Sequence, residues 1–218
     1  PGGVCDQVFG ADARVNGDSA IVAKVEELAD GGSRMIKYCA GGGVIPSPRD
    51  TLSLEFDPES ARAIVTVAHA RGLRVAAHAQ GSRAITVAVT AGVESIEHGG
   101  WIDSTAAALM AARGTVLVPT LYRLDWLIQQ ADSLKQTAQA TRLRETRKEV
   151  FARVSRAARL GVPIVFGTDA TVIPHGINAR EFRALVEIGL TPIEAIRAAT
   201  IRAAALLDVK DIGTLEAG

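Results

Sequence analysis

The sequence predicts an α/β fold built around a parallel β-sheet. Short apolar segments of strand length alternate with longer segments of helical periodicity along the 218 residues, which is the pattern of βα units. Hydrophobic residues make up 48% of the chain and charged residues 22%, a composition that suffices for one large domain with a substantial core. Sequential parallel strands joined by helices form either an open doubly wound sheet or part of a (β/α)8 barrel.

Five segments have the length and the apolar content of strands. They lie at residues 35–40, 74–79, 95–99, 115–121 and 163–169. Each is followed by at least one segment with helical spacing, as the crossover between parallel strands requires.

Capping residues and glycines mark the helix boundaries. The helix predicted over 57–72 begins with Asp57 as N-cap and Pro58 at its first position, and Ser104 is the predicted N-cap of a helix over 104–114. Further helices are predicted over 19–32, 82–92, 178–189 and 191–208, and an Arg- and Gln-rich helical region fills 123–160.

The charge balance argues against nucleic acid and anionic membranes as partners. The chain has 24 Lys and Arg residues and 24 Asp and Glu residues. No apolar run approaches the roughly 18 residues of a membrane-spanning helix. The two cysteines, Cys5 and Cys39, fit neither a disulfide framework nor a CxxC motif, and we predict that both are reduced thiols.

Polar residues recur at the C-terminal ends of the predicted strands, where (β/α)8 barrels place their chemistry. They are Lys37, His78, His98 and Asp169. Because side chains alternate across a strand, Glu97 is predicted to point to the face opposite His98, either in a second layer behind the site or toward the helices. Each buried polar group left unpaired costs about 1–3 kcal/mol. The joint occurrence of imidazole and carboxylate groups therefore favours a zinc-like site over a polar core.

Lys37 also has a simpler interpretation. It stands in the middle of an apolar strand, and a buried ammonium is costly unless it is paired or loses its proton. The alternative is that its side chain snorkels into solvent at the strand end.

Two weaker candidates follow strands at the same end. His175 lies in "IPHGIN" after the last strand, and Tyr122 lies in "PTLYR" after the preceding one. Both are candidates for contact with substrate. The alternatives are a loop histidine with no role and an ordinary aromatic residue at the mouth of a barrel.

The ordered motifs resemble those of the amidohydrolase superfamily of metal-dependent hydrolases. They are "IK" at 36–37, "AHA" at 77–79, "IEHG" at 96–99 and "GTDA" at 167–170. The segment 167–207 resembles the branch that contains the Xaa-Pro dipeptidases, or prolidases, and the imidazolonepropionase-like proteins.

The resemblance implies a (β/α)8 TIM-type barrel with a metal centre. In such enzymes the lysine closing the fourth strand, here Lys37, is carboxylated by CO2, and its carbamate bridges two divalent metal ions. The histidines closing the next two strands, here His78 and His98, bind the second metal. The aspartate closing the eighth strand, here Asp169, contacts a metal and takes a proton from the attacking hydroxide.

The resemblance also implies cofactors and partners. We expect about two zinc ions per subunit, a carbamate on Lys37, and hydrolysis of amide bonds in a small-molecule or dipeptide substrate such as an Xaa-Pro peptide. We expect a homo-oligomer without nucleic-acid or membrane partners, and the cytoplasm is the default location.

The chain departs from the superfamily in one respect. The first strand of the superfamily supplies an HxH pair to the first metal, and none occurs among His69, His78, His98 and His175. We therefore expect a partial sequence in which 1–211 form strands four to eight of the barrel, without the N-terminal strands and the small β-sandwich. Residues 212–218 would begin the return into that β-sandwich.

Two alternatives remain open at this point. A cyclic-amide hydrolase or deaminase with a single metal would not need a bridging lysine at Lys37. A catalytically incomplete metal-binding fragment would not need the missing HxH pair.

Overall fold

The strands form one parallel sheet in the order β1-β2-β3-β4. The structure is a computed structural model that describes residues 17–43 and 53–216. Its strands are β1 (Met35–Cys39), β2 (Arg74–Gly81), β3 (Ser95–Trp101) and β4 (Val116–Val118). Each strand pairs with the next strand along the chain, so the predicted α/β fold with a parallel sheet is confirmed.

The fifth predicted strand is present in position but not as a regular strand. The segment 163–169 runs beside β4 and pairs with it in parallel through one bridge between Leu117 and Ile164. Two residues further on, the Phe166 N–H donates to the carbonyl of Ala198 at 3.1 Å. The Val165 N–H donates to the carbonyl of Leu117 at 3.0 Å, and the Phe166 N–H points to the opposite side of the segment, so β4 and this segment share only a short stretch of pairing.

Helices connect the strands and continue after the last one. They are α1 (Asp18–Asp30), α2 (Pro58–Ala70), α3 (Ser82–Ala91), α4 (Ser104–Arg113), α5 (Tyr122–Ser133), α6 (Thr137–Arg159), α7 (Glu181–Glu187), α8 (Pro192–Ala199) and α9 (Ile201–Leu206), with a 3-10 turn at Asn178–Arg180. The region predicted over 123–160 breaks between α5 and α6, and the helix predicted over 191–208 divides at Thr200.

The caps explain where the helices begin. The Asp57 side chain accepts from the Ser60 N–H at 2.8 Å, as predicted for the start of α2. The N-cap of α4 is Asp103, whose side chain accepts from the Ala106 N–H at 2.8 Å. The prediction of Ser104 is wrong by one residue, because Ser104 already has helical geometry while Asp103 keeps the extended backbone of an N-cap.

One face of the sheet is apolar and packs against the helices. Ile36, Val75, Ile96 and Leu117 are buried there and join residues of α2, α3 and α4 in one hydrophobic core. Burying a side chain of this size stabilises a fold by roughly 1.5–3 kcal/mol. The core thus fixes the sheet and leaves its other face to carry the polar residues.

The pairing of β2 with β3 places Glu97 on this polar face. His78 pairs with Glu97, and paired residues of neighbouring strands point to the same side of a sheet. The Glu97 Oε1 also accepts from the Ser95 hydroxyl, two residues earlier, at 2.7 Å. The predicted orientation of Glu97 is wrong because His98 has a left-handed backbone, with φ of 73°, which interrupts the alternation.

Cys39 is disulfide-bonded, so the predicted reduced thiol is wrong for this residue. Spacing along the sequence does not report which residues the fold brings close. Cys5 lies outside the described residues.

Within residues 17–43 and 53–216 the helices are too short or too polar to cross a membrane.

Candidate active site

Two buried histidines lie side by side at the C-terminal ends of β2 and β3. His78 and His98 are 6% and 4% exposed to solvent. Their ring centroids are 4.7 Å apart, and the rings meet edge to face at 70°. Neighbouring parallel strands therefore bring together two imidazoles that are 20 residues apart in the sequence.

Both imidazoles are poor bases in this position. Burial, together with the positive charges of Arg123 and Lys37, lowers the pKa of His78 to about 4, while the contact with Gly42 and the charge of Asp169 oppose the shift. Burial also holds the pKa of His98 well below its ordinary value, again with help from Arg123. The two rings are neutral near pH 7, which leaves a nitrogen lone pair on each for a metal ion.

Each ring is oriented by one polar neighbour. The Nε2 of His78 lies 3.3 Å from the carbonyl oxygen of Gly42. Because a carbonyl only accepts, this nitrogen carries the proton and Nδ1 keeps the lone pair. The Nδ1 of His98 lies 2.6 Å from the Thr120 hydroxyl, which can donate or accept. Such contacts hold an imidazole in a fixed position for ligand binding.

Strained backbone clusters at this end of the sheet. His98, Thr120 and Asp169 have φ values of 73°, 48° and 54°. A left-handed residue other than glycine costs about 1–3 kcal/mol and persists where the surroundings enforce it, often at functional sites. All three follow or close strands at the end that carries the histidine pair.

Arg123 pairs with Asp169 and acts electrostatically on both histidines. Its side chain is 13% exposed, and its Nε lies 3.8 Å from Oδ2 of Asp169. Burial lowers the pKa of Arg123, and the charge of Asp169 opposes that shift. The sequence analysis missed both Arg123 and Thr120. The available signal was their position in "VPTLYR", directly after β4, which is the rule that identified the other candidates.

Lys37 lies at the edge of the site and not in its buried centre. It is on β1, an edge strand of the sheet, and its side chain is exposed. Its charge nevertheless contributes to the lowered pKa values of His78 and His98. The structure thus brings the two histidines into contact and places Lys37 within electrostatic reach of them.

The two weaker candidates have different surroundings. His175 is exposed in the turn that follows segment 163–169. Tyr122 is buried at the start of α5, and its hydroxyl accepts from Nη1 of Arg180 at 2.7 Å. The tyrosine hydroxyl and the guanidinium therefore form one polar pair.

The donor set fits part of a metal centre. Two neutral imidazoles are suitable zinc ligands, but a zinc site takes three or four protein ligands. In the part of the chain that the structure describes, no three His, Cys, Asp or Glu side chains gather closely enough to hold a metal ion. The described residues supply a pair of ligands, with Asp169 and Lys37 near enough to act electrostatically.

A cavity of about 470 Å³ lies at the opposite ends of the strands, lined among others by Arg74, Glu94 and Thr115. These residues begin β2, precede β3 and precede β4. The histidine pair and Arg123 are at the other end, which is where parallel α/β folds carry their active sites. We therefore place the candidate active site at the histidine pair and not in this cavity.

Comparison with known proteins identifies the family to which this fold belongs. The sequence profile of the amidohydrolase family matches residues 12–218. The chain belongs to the amidohydrolase family, which confirms the resemblance seen in its motifs.

Two related sequences and one crystal structure are similar to most of this chain. An uncharacterised protein of Mycobacterium tuberculosis is 34% identical over 194 residues, covering 88% of this chain and 52% of the relative. Ochratoxinase of Aspergillus niger is 33% identical over 174 residues, covering 79% of this chain and 36% of the enzyme. The crystal structure of a Xaa-Pro dipeptidase with bound methionine in the active site superposes with a TM-score of 0.85 at 32% identity, covering 100% of this chain and 57% of that chain.

The chain thus spans about half the length of these relatives or less. Its parallel sheet and helices correspond to about half of the fold of the barrel-shaped amidohydrolases.

Proposed function

We propose that the whole protein is a metal-dependent hydrolase of amide or peptide bonds in small substrates. The observation that carries the proposal is the buried, neutral pair of His78 and His98 at the C-terminal end of the sheet, in a chain of the amidohydrolase family. The similarity to a Xaa-Pro dipeptidase and to ochratoxinase supports a dipeptide or a related amide as substrate. We favour a dipeptidase or carboxypeptidase-like activity, for example on Xaa-Pro peptides.

Four residues would form this chain's part of the metal centre. His78 and His98 would hold a divalent ion such as zinc through their free ring nitrogens, with Lys37 contributing as a carbamate after reaction with CO2. When bound, the metal would lower the pKa of a water molecule and polarise the scissile carbonyl. Asp169 would accept a proton at its carboxylate and pass it to the leaving amine. Arg123, whose Nε lies 3.8 Å from Oδ2 of Asp169, would pair with that carboxylate.

The exposed position of Lys37 is consistent with its proposed chemistry. Carbamate formation needs an amine that CO2 can reach, and the side chain of Lys37 is accessible on the polar face of β1. Once carboxylated, it would carry a negative charge within electrostatic reach of the two imidazoles. The charge that now lowers the basicity of the histidines would then be reversed.

We also propose that the 218-residue chain by itself is inactive. Within residues 17–43 and 53–216 no three metal-binding side chains gather, and a catalytic zinc needs three protein ligands. The first metal would depend on residues that this chain does not contain.

Tyr122 and His175 remain candidates for substrate contact. The Tyr122 hydroxyl and the Arg180 guanidinium form a donor pair suited to a carboxylate. His175, exposed in the loop that leads to Arg180, could reach a bound peptide from the same side.

The decisive experiment compares the whole protein with its Lys37→Ala variant. We expect the wild type to bind about two zinc ions per subunit and to hydrolyse members of a panel of Xaa-Pro dipeptides and N-acyl amino acids. Lys37→Ala should lose this activity and part of the metal, as measured by elemental mass spectrometry. Lys24→Ala is the matched control, because Lys24 only pairs with Glu27 on α1.

The outcomes separate the alternatives. Metal content unchanged by Lys37→Ala would contradict the bridging role of Lys37. One zinc per subunit, together with activity that survives Lys37→Ala, would favour a single-metal cyclic-amide hydrolase or deaminase.

A further inference from the structure

A fully buried carboxylate joins two distant segments next to the candidate active site. Glu181, at the start of α7, is 0% exposed. Its Oε1 accepts from the Leu121 N–H at 2.9 Å, and its Oε2 accepts from the Tyr122 N–H at 2.7 Å. These partners lie 60 and 59 residues earlier in the chain. Because α5 has no side-chain cap of its own, Glu181 caps that helix from another part of the fold.

The backbone N–H groups of Leu121 and Tyr122, which Glu181 binds, lie in the chain between two residues that contact the site. Thr120 immediately precedes them, and its hydroxyl lies 2.6 Å from Nδ1 of His98. Arg123 immediately follows them, and its Nε lies 3.8 Å from Oδ2 of Asp169. The backbone that Glu181 holds is therefore the backbone that positions both contacts.

A second contact ties the same two segments. Arg180, the residue before Glu181, donates from Nη1 to the Tyr122 hydroxyl at 2.7 Å. Neighbouring residues of one segment thus bind the backbone and the side chain of Tyr122. This double connection joins the loop after Asp169 to the end of β4.

The chemistry of this contact requires a carboxylate. Both oxygens of Glu181 accept from backbone N–H groups, whereas a glutamine would offer one acceptor and turn an N–H toward the second amide. The two accepting oxygens belong to the ionised form, which prevails above the pKa of Glu181; burial raises this pKa to about 8, while the two amides and the charge of Arg123 oppose the shift. An unfavourably buried acid kept in this place is expected to have a specific structural task.

We propose that Glu181 is a positioning residue of the active site, whose carboxylate fixes Leu121 and Tyr122 and thereby sets Thr120 against His98 and Arg123 against Asp169. Its effect on catalysis rests on the proposed hydrolase function. Its effect on the geometry of His98 does not.

The test uses the whole protein with Glu181→Gln, and Glu187→Gln as matched control. Glu187 closes the same helix, and its carboxylate pairs with Arg147 near the surface. Hydrogen exchange of the segment 120–124 is followed by mass spectrometry, and the ring nitrogens of His98 are followed by NMR after labelling of histidine. For the amide substrate, kcat and KM are measured separately.

Three changes are expected in Glu181→Gln and none in Glu187→Gln. Exchange of the segment 120–124 should accelerate by at least about tenfold, as for loss of one hydrogen bond to a charged group. The His98 Nδ1 resonance should shift as its contact with Thr120 loosens. The kcat should fall by about 10- to 100-fold, as for other residues that orient a metal ligand, with KM changing by less than about threefold.

Several results would overturn the proposal. Faster exchange at 120–124 with an unchanged His98 resonance would confine Glu181 to a local helix cap. If Glu181→Gln does not fold, Glu181→Asp is measured instead. This variant keeps the negative charge, but its side chain is shorter by one methylene group. Global loss of exchange protection in both variants would assign Glu181 to folding alone. If the wild type hydrolyses no amide in the panel, the proposed function fails, but the exchange and His98 measurements still decide the role of Glu181.

Discussion

The centre and the edge of the sheet hold their polar residues in different ways. At the centre, His78 and His98 are buried, in ring contact, and each oriented by a polar neighbour. At the edge, Lys37 and Met35 are exposed on β1. Both regions belong to the same sheet and carry candidate site residues, but only the centre is enclosed by elements of this chain.

The difference teaches which part of the site is preorganised. Ligands enclosed by packed neighbours need no rearrangement to bind a metal, because folding has already removed water from them and fixed their orientation. Lys37 has no such enclosure in the described part of the chain.

The largest expected effect is the loss of a ligand at the centre. We expect His98→Ala in the whole protein to lower kcat/KM for the amide substrate by about a thousandfold or more, equivalent to about 4 kcal/mol of transition-state stabilisation. Bound zinc should fall in parallel, as measured by elemental mass spectrometry.

His69→Ala is the control for this change. His69 lies on α2 with a side chain that is 42% exposed, and it pairs with Glu94. Full activity of His98→Ala would show that the buried pair is not part of the metal centre.

The next effect concerns acid stability of the metal-free protein. His78 has a folded pKa of about 4 against an ordinary value of 6.5. Between these values the unfolded chain binds a proton that the folded chain does not, so the free energy of unfolding falls as the pH is lowered. The contribution of His78 is on the order of 3 kcal/mol across this window.

Urea unfolding of the wild type and of His78→Asn at a series of pH values measures this contribution. From pH 6.5 to pH 4, the free energy of unfolding should fall more steeply for the wild type than for His78→Asn. Parallel pH profiles would mean that the His78 ring is not buried in its neutral form.

A smaller effect tests the packing beneath the histidine pair. Gly99 has φ of 59°, and a Cβ added there would lie 2.6 Å from Cδ1 of Leu117. Gly99→Ala should therefore lower the free energy of unfolding by about 1–3 kcal/mol, measured by urea unfolding.

Gly72→Ala separates the two causes of this loss. Gly72 has a similar φ of 70°, but nothing lies within 4 Å of its added Cβ. It should therefore show only the cost of backbone strain, about 1 kcal/mol. Equal losses in the two variants would contradict close packing behind His98.

The smallest effect is expected at the exposed edge. Lys37→Met in the metal-free protein should change the free energy of unfolding by less than about 0.5 kcal/mol, because the side chain is exposed and no packed group is lost. Urea unfolding measures it. A loss of several kcal/mol would show that the edge of β1 is enclosed after all, and would remove the contrast between centre and edge.

Much of the fold could be predicted because its causes are local. Strand and helix periodicity located every strand of the sheet, and Asp57 with Pro58 marked the start of α2 correctly. The fifth strand was predicted as regular, but it pairs with β4 through a single bridge between Leu117 and Ile164, and the Phe166 N–H on its other side donates to Ala198. A contact with a helix more than thirty residues later is not described by periodicity.

The site was predictable only in part. His78, His98, Asp169 and Lys37 could be found from their place at strand ends, although their joint role as a metal centre stays a prediction. Thr120 and Arg123 were overlooked, and Glu97 was placed on the wrong face because the left-handed backbone at His98 leaves no pattern in the sequence. Glu181 was missed because its partners are some sixty residues away.

The sequence by itself determined the alternation of strands and helices, the family, and the residue types at the strand ends. These follow from local periodicity and from short motifs. The tertiary structure decided that the histidine rings touch, that they are neutral because they are buried, and that Lys37 lies in solvent at an edge. Burial and contact depend on which distant segments pack together, and the energy that shifts a pKa or strains a backbone arises only in that packing.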